Sequence, residues 1–363
     1  MMRYDCVGCD LDLARPGKSS GWLGLDHSDD AHAFSQIRSP IGVLSGGVIS
    51  GGVISGGAGR DNASGPTALV VGGNHGDEYE GQIIARRLFQ ALDPDEVPGR
   101  LILLPALNMP AVLARARVSP LDGGNMNRSF PGAAGSGPTR ALAGFVTRHL
   151  LPAADLVIDL HSGGGATEYL DAAYLTLTGD PGADRRGAAL ARAFGLPWTM
   201  VVGLGSTGGD LDTAALKAGC AMISCELGGL GQVSPLSLAQ GWNGILNLLA
   251  DQGVIAPAAA ARLMTAPVRP TRFLDLQAGS RHVTALRQAL AEPLVGLGDA
   301  VTPGQPLARL HDLFDLEAPP QVLTAPVAGR VMIRRRNGLV GPGDHLFVLG
   351  PEIAPEDLER RIG

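Results

Sequence analysis

The sequence predicts an α/β protein: a mostly parallel sheet with helices on both faces, plus a smaller C-terminal all-β sandwich or barrel domain. Three observations carry that class. Between about Pro66 and Asp251, short apolar runs alternate with segments of helical periodicity, the pattern of a sheet covered by helices. The strand cores Leu69-Val70-Val71-Gly72, Leu101-Ile102-Leu103-Leu104, Leu156-Val157-Ile158-Asp159-Leu160 and Ala221-Met222-Ile223-Ser224-Cys225 are continuous apolar runs, as parallel strands buried on both sides require. After about Pro267 the texture changes to short β-rich pieces punctuated by Gly and Pro.

A chain of 363 residues is long for one domain, so one large and one smaller unit are expected. The expected division is an N-terminal lead-in with a Gly-rich hairpin or loop over 1–60, an α/β domain over 61–255 and a C-terminal β domain over 265–363. A formal charge of −6 gives no global reason to expect nucleic-acid binding. No run of eighteen apolar residues suggests a membrane span, and Met1-Met2-Arg3-Tyr4-Asp5-Cys6 lacks a signal-peptide core. A cytoplasmic protein is therefore expected. Cys6 and Cys9 have no second Cys pair at similar spacing and read as ordinary thiols, while Cys220 and Cys225 read as small core residues.

In chain order, residues 1 to about 40 are polar and mixed, an irregular lead-in or small edge hairpin. The pentad Gly-Gly-Val-Ile-Ser then occurs twice in tandem between Gly46 and Ser55, which reads as a local duplication lengthening a hairpin or loop. A phosphate-cradling loop would need a Gly-Lys-Ser/Thr ending that is missing. Strands are expected over Thr67–Val71, Arg100–Leu104, Asp155–Leu160, Ala173–Leu177, Thr199–Val202 and Cys220–Cys225. Helices are expected over Tyr79–Leu92, Pro110–Arg117, Thr139–Leu151, Arg185–Phe194, Leu211–Ala218 and Leu236–Gln252.

The chemistry gathers where these strands end. His75-Gly76-Asp77-Glu78 follows the first apolar strand, and His-x-x-Glu puts an imidazole and a carboxylate on one turn, close enough to share a metal such as zinc. His161 ends another strand and opens into glycines, so it can face the same crevice as a third ligand. Asp159, two residues earlier, is placed to orient that imidazole. Alone, His161 reads equally well as a satisfied buried histidine; beside His75 and Glu78 it completes a His/Glu/His set with an open position. Glu226 ends a fourth strand and is the candidate base, because an unpartnered buried Glu is costly without a function. Arg128, in Asn125-Met126-Asn127-Arg128, offers a bidentate fork for a substrate carboxylate. Arg115 and Arg117 lie just upstream as candidates to hold substrate or polarise its carbonyl, or as plain exposed helix-end charges.

In this order, His75-Gly-Asp-Glu78, Asn127-Arg128, Asp159-Leu-His161 and Glu226 resemble the succinylglutamate desuccinylase/aspartoacylase family of the zinc carboxypeptidase-like group. The resemblance covers about residues 60–350. It implies an α/β zinc-hydrolase core with an added C-terminal β domain and one zinc on His75, Glu78 and His161. It makes Glu226 the general base and acid, and gives the substrate to Asn127 and Arg128, with Arg117 beside them. The implied substrate is a small N-acyl amino acid, N-acetyl-2,4-diaminobutyrate first. Deacylation of another acyl amino acid, or carboxypeptidase action, is the alternative. A side-chain ammonium would need an acidic partner, for which Glu168, Asp171, Asp210 and Asp212 are candidates.

The Gly298-Asp299-Ala300-Val301-Thr302-Pro303-Gly304-Gln305 string resembles biotinyl/lipoyl-type hammerhead domains, which carry a cofactor on a hairpin lysine. No lysine follows Lys217, so a carrier role is excluded, and cover of the site or self-association into a homo-oligomer is left for this domain.

Overall fold

The computed structural model describes residues 1–28, 35–46, 65–204, 208–277 and 279–363. Most of the duplicated Gly-Gly-Val-Ile-Ser segment lies outside the described residues. The elements of the main body, in chain order, start with β1 (Met2–Tyr4), β2 (Val7–Cys9), β3 (Gly17–His27), β4 (Ser35–Ser45) and β5 (Thr67–Gly72). Then come α1 (Glu80–Ala91), β6 (Arg100–Leu104), α2 (Met109–Ala114), α3 (Pro138–Phe145), β7 (Leu156–His161), β8 (Thr167–Tyr169) and β9 (Ala172–Leu177). They are followed by α4 (Pro181–Phe194), β10 (Trp198–Gly203), α5 (Leu211–Lys217), β11 (Ala221–Glu226), α6 (Pro235–Asp251), α7 (Pro257–Leu263) and β12 (Arg272–Asp275). The C-terminal part adds β13 (Arg281–Thr284), β14 (Ala289–Pro293), β15 (Ala300–Val301), β16 (Pro306–His311), β17 (Gln321–Thr324), β18 (Gly329–Arg335), β19 (Leu339–Val340), β20 (His345–Gly350), β21 (Glu352–Ile353) and α8 (Pro355–Ile362).

Twelve strands form one sheet, in the order β1-β2-β3-β4-β6-β5-β7-β11-β9-β10-β12-β21. The sheet is mixed rather than mostly parallel. The centre, β6-β5-β7-β11, is parallel, as are β9-β10-β12. β11 meets β9 antiparallel, and β1 to β4 join β6 as an antiparallel flank. The polar N-terminal stretch is thus four strands of the main sheet rather than an irregular lead-in, and the edge-hairpin alternative is the nearer one, since β3 and β4 pair antiparallel along their length. Its strands look irregular in sequence because much of their length is half-solvated: β3 alternates intermediate and exposed residues before a short buried stretch at Leu23–Leu25. The expected boundary near 265 is also crossed, since β12 and β21 close the other edge of the same sheet.

Side-chain alternation sorts each central strand into two cores. Ala68 and Val70 of β5 pack under α1, α4, α6 and α7, with Ile84, Leu88, Phe194, Trp242, Ile245 and Leu249. Leu69 and Val71 face α3 and α5 and the inner faces of β2 to β4, with Leu142, Phe145, Leu211, Leu23, Ile41 and Val43. Each such fully buried large side chain contributes about 1.5–3 kcal/mol by leaving water.

Residues 281–350 form two antiparallel sheets over a common core of Val283, Leu307, Leu310, Val331, Val340, Phe347 and Leu349. β8, from the loop after β7, adds to this part: it pairs with β18 through Tyr169–Ile333, Glu168–Arg334 and Thr167–Arg335. Among the described residues no helix is long and apolar enough to cross a membrane.

Candidate active site

The parallel strands β5, β7 and β11 end side by side, and their C-terminal ends carry His75, His161 and Glu226. On β7, Asp159 and His161 fall on the face opposite Ile158 and Leu160; on β11, Ser224 and Glu226 fall opposite Ile223 and Cys225. Glu226 is in register with His161, and Ser224 with Asp159. The strand period alone therefore puts four polar side chains on one patch of one face.

Close backbone packing brings Glu78 to that patch. β5 turns at Gly73, whose φ of +67° favours glycine. A Cβ on Gly81, in the first turn of α1, would stand 2.5 Å from Leu160, and one on Gly76 would stand 2.0 Å from the Ala111 backbone. Hydrogen bonds from Leu107 N to Gly72 O, from Asn108 N to Gly73 O and from Gly76 N to Ala116 O brace the intervening turn.

The result is one buried cluster. His75 and Glu78 are 2% exposed and His161 is 7% exposed. Glu78 Oε1 lies 2.7 Å from His75 Nδ1, and Oε2 lies 2.7 Å from His161 Nδ1. Both imidazoles thus present Nδ1 inward, and each has its Nε2 held from behind. His75 Nε2 lies 3.1 Å from Asn125 Oδ1, and His161 Nε2 lies 2.9 Å from Asp159 Oδ2. Asp159 is itself fixed by Asn74 Nδ2 at 2.8 and 2.7 Å. Burial by itself would raise the Glu78 carboxyl, but the facing imidazoles, His161 foremost, outweigh it and hold it at about 2. Burial would lower the His161 imidazole, and the charges of Asp159 and Glu78 outweigh that and raise it. Positive charge is what the cluster gathers around Glu78.

These residues fit a metal. His75, Glu78 and His161 offer ligand atoms that all lie within 4.8 Å of one another. Two imidazoles and a carboxylate are a zinc donor set, and the Asn125 and Asp159 contacts are the outer bonds that set the tautomer of metal-binding histidines. A cation would replace the protons that His75 and His161 now share with Glu78.

A cavity of about 390 Å³ opens over the cluster, lined among others by Arg117, Asn127, Arg128, Tyr169, Asp212 and Glu226. Glu226 Oε2 is shielded from solvent and has no hydrogen-bond partner among the described residues. Burial first, and then the charge of Glu78, raise its pKa well above the ordinary carboxylate value, with His161 and Arg117 pulling the other way. Arg117 reaches in from the solvent side, 3.4 Å from Glu78 Oε1. Arg128 is exposed at the wall, its guanidinium 2.6 Å from Asn127 O. Asn127 has both ends occupied: Nδ2 lies 3.3 Å from His161 Nε2, and Oδ1 accepts from Leu211 N. Arg115 closes α2 in the left-handed conformation, exposed and outside the cavity lining.

The four acidic candidates separate. Asp210 and Asp212 line this cavity. Glu168 is paired with Arg334, and Asp171 lines a neighbouring cavity of about 530 Å³. Sequence reasoning missed Asn74, Asn125, Tyr169 and Tyr174. The two asparagines neighbour recognised motif residues, which is a usable signal. The tyrosines give no local signal, since they enter the cavity through strand pairings made far away in sequence.

Residues 64–251 match the model of the succinylglutamate desuccinylase/aspartoacylase catalytic domain. The chain is 35% identical over 343 residues to an N-alpha-acetyl-L-2,4-diaminobutyric acid deacetylase from Halomonas elongata, covering 94% of both chains. It is also similar to the product-bound structure of the ectoine utilization protein EutE (DoeB) from Ruegeria pomeroyi. There the TM-score is 0.86 at 32% identity, over 96% of this chain and 100% of that one. A succinylglutamate desuccinylase from a Silicibacter species gives 0.86 at 30% identity, over 97% and 100%.

Proposed function

The chain belongs to the succinylglutamate desuccinylase/aspartoacylase family, and we propose that it hydrolyses the amide of Nα-acetyl-L-2,4-diaminobutyrate to acetate and diaminobutyrate, with zinc as its metal. One observation carries the substrate: the Halomonas elongata deacetylase matches this chain almost end to end, at 94% of both lengths. The site supports the reaction class, because a zinc-type donor set faces an unpartnered carboxylate across one cavity.

His75, Glu78 and His161 hold the metal. When bound, zinc supplies Lewis acidity to the scissile carbonyl and to the attacking water. Arg128 takes the α-carboxylate through its fork and so sets the amide in front of the cluster. Glu226 accepts a proton from the water as its oxygen bonds to the acetyl carbon. The C–N bond then breaks, and Glu226 returns the proton to the departing α-nitrogen, so one carboxylate serves both half-steps. Burial suits it to this, since a carboxyl held above its ordinary value is a stronger base toward the water and passes the proton on to the nitrogen. Arg117 faces the negative charge that grows on the carbonyl oxygen.

The test is a panel of N-acetyl, N-succinyl and C-terminal peptide amides, with and without a chelator. Acetate release from Nα-acetyl-diaminobutyrate, lost with chelator and restored by zinc, is the expected result. Efficient cleavage of another class with no acetate release would sink the reading.

A further inference from the structure

The cavity carries ionisable side chains of both kinds that have no ion-pair partner among the described residues. Arg128 lines it and has no ion-pair partner among the described residues. Asp210 and Asp212 line it as well and also lack an ion-pair partner among the described residues. Asp210 and Asp212 are half-buried, and a carboxylate held in such a place gains from a cationic ligand group. We infer that Asp212 is the specificity-determining residue that accepts the side-chain ammonium of the substrate, in the same cavity whose wall carries Arg128. This rests on the deacetylase reading and deepens it: the ligand class is an N-acyl α-amino acid bearing a terminal ammonium.

Three features of the fold aim Asp212 for that role. Ser224 Oγ donates to Asp212 Oδ2 at 2.7 Å, which fixes the carboxylate over β11. Ser224 and Glu226 share one face of that strand two residues apart, about 7 Å along it. The ammonium of diaminobutyrate lies four bonds from the amide nitrogen, roughly 5 Å when extended. A substrate with its amide beside Glu226 therefore carries its ammonium toward Ser224 and Asp212. The start of α5 is pinned to the carboxylate end of the site as well. Leu211 N donates to Asn127 Oδ1 at 3.0 Å, and Phe130 N donates to Gly209 O at 3.0 Å. Asp210 is partly committed, because its Oδ1 caps α5 on Thr213 N. That leaves Asp212 as the principal acceptor. Burial and the nearby Asp159 charge raise the Asp212 carboxyl to about 7, against the Ser224 hydrogen bond, as expected of an acid awaiting a cationic partner. Glu168 and Asp171, the other acidic residues near strand ends, lie outside this cavity.

The experiment compares kcat/KM for Nα-acetyl-2,4-diaminobutyrate with that for N-acetylnorvaline, which replaces the ammonium by a methyl group. The zinc-loaded enzyme is used in the wild type and in Asp212→Asn. The wild type is expected to prefer the ammonium substrate, and Asp212→Asn to reduce that preference on the order of a hundredfold, mostly through KM. An equal fall on both substrates would make Asp212 merely structural, and an unchanged preference would place the ammonium elsewhere; either overturns the inference. A second measurement needs no variant: diaminobutyrate should inhibit the wild type far more tightly than 2-aminobutyrate, and equal inhibition overturns the subsite. A wild type that cleaves neither substrate but releases another acyl group would instead overturn the deacetylase reading itself.

Discussion

Glu226 and Asp159 test the site residue by residue. Glu226 is the group proposed to move the proton in both halves of the reaction, so Glu226→Gln should lower kcat by about 10²–10⁴-fold. Zinc content measured by metal analysis should stay at one equivalent, because Glu226 is not a ligand. Asp159→Asn acts from behind a ligand. It weakens the bond that sets the His161 tautomer, so zinc affinity, read by competition with a chelator, should fall about 10–100-fold. Asp171 gives a pH effect away from the metal. Burial raises its carboxyl to about 6, with Glu168 adding and the Ser237 and Gly228 hydrogen bonds opposing. The folded state therefore holds a proton that the unfolded chain, near the ordinary Asp value of 3.8, gives up. Stability from this group is full below pH 3.8 and declines as pH rises through about 6. Urea titrations at pH 4 to 8 should show that decline in the wild type and a shallower one in Asp171→Asn, because Asp212 and Glu226, raised in the same sense, keep their share. His75, Glu78, His161 and Glu226 were each visible in the sequence because a polar residue at the end of an apolar strand is conspicuous. Asn125 was passed over because its partner, the back of His75, is fifty residues away.

At the scale of elements, α1, α2, α4, α5 and α6 lie within four residues of their expected bounds at each end, α7 and α8 were not expected, and the contacts between helices are a separate matter. α6 crosses α4 so closely that a Cβ on Gly244 would stand 2.6 Å from Phe194 O and 2.7 Å from its ring. Gly244→Ala should therefore cost about 1–3 kcal/mol, measured by chemical denaturation, even though alanine favours an isolated helix. The central strands were legible because burial on both sides makes them wholly apolar: Arg100–Leu104 falls on the expected residues, and Thr67–Gly72 exceeds its expected range by one. β1 to β4 were not, since an antiparallel strand with one end in solvent alternates and so looks like loop. The helix expected over Thr139–Leu151 holds its α form only to Phe145 and widens over Val146–Leu150.

The whole molecule is held together through the site. His75 and Glu78 come from the β5–α1 turn, and His161 lies at the end of β7, 83 residues after Glu78. A metal bound by all three binds the folded chain and not the unfolded one. Removing it with a chelator should lower Tm by several degrees, and added zinc should restore it, in a thermal melt. The C-terminal sheets reach the same place: β18 pairs with β8, whose Tyr169 lines the cavity. By itself the sequence determined the α/β class, the central strands and the residue types at their ends, because burial and period are local properties of a chain. Only the tertiary structure decided that the sheet is mixed and extends through both expected boundaries. It also decided that Asp210 and Asp212, rather than Glu168 and Asp171, share the cavity with the cluster. Strand direction, register and the pairing of distant segments are set by contacts between residues far apart in the chain, and no local pattern encodes them.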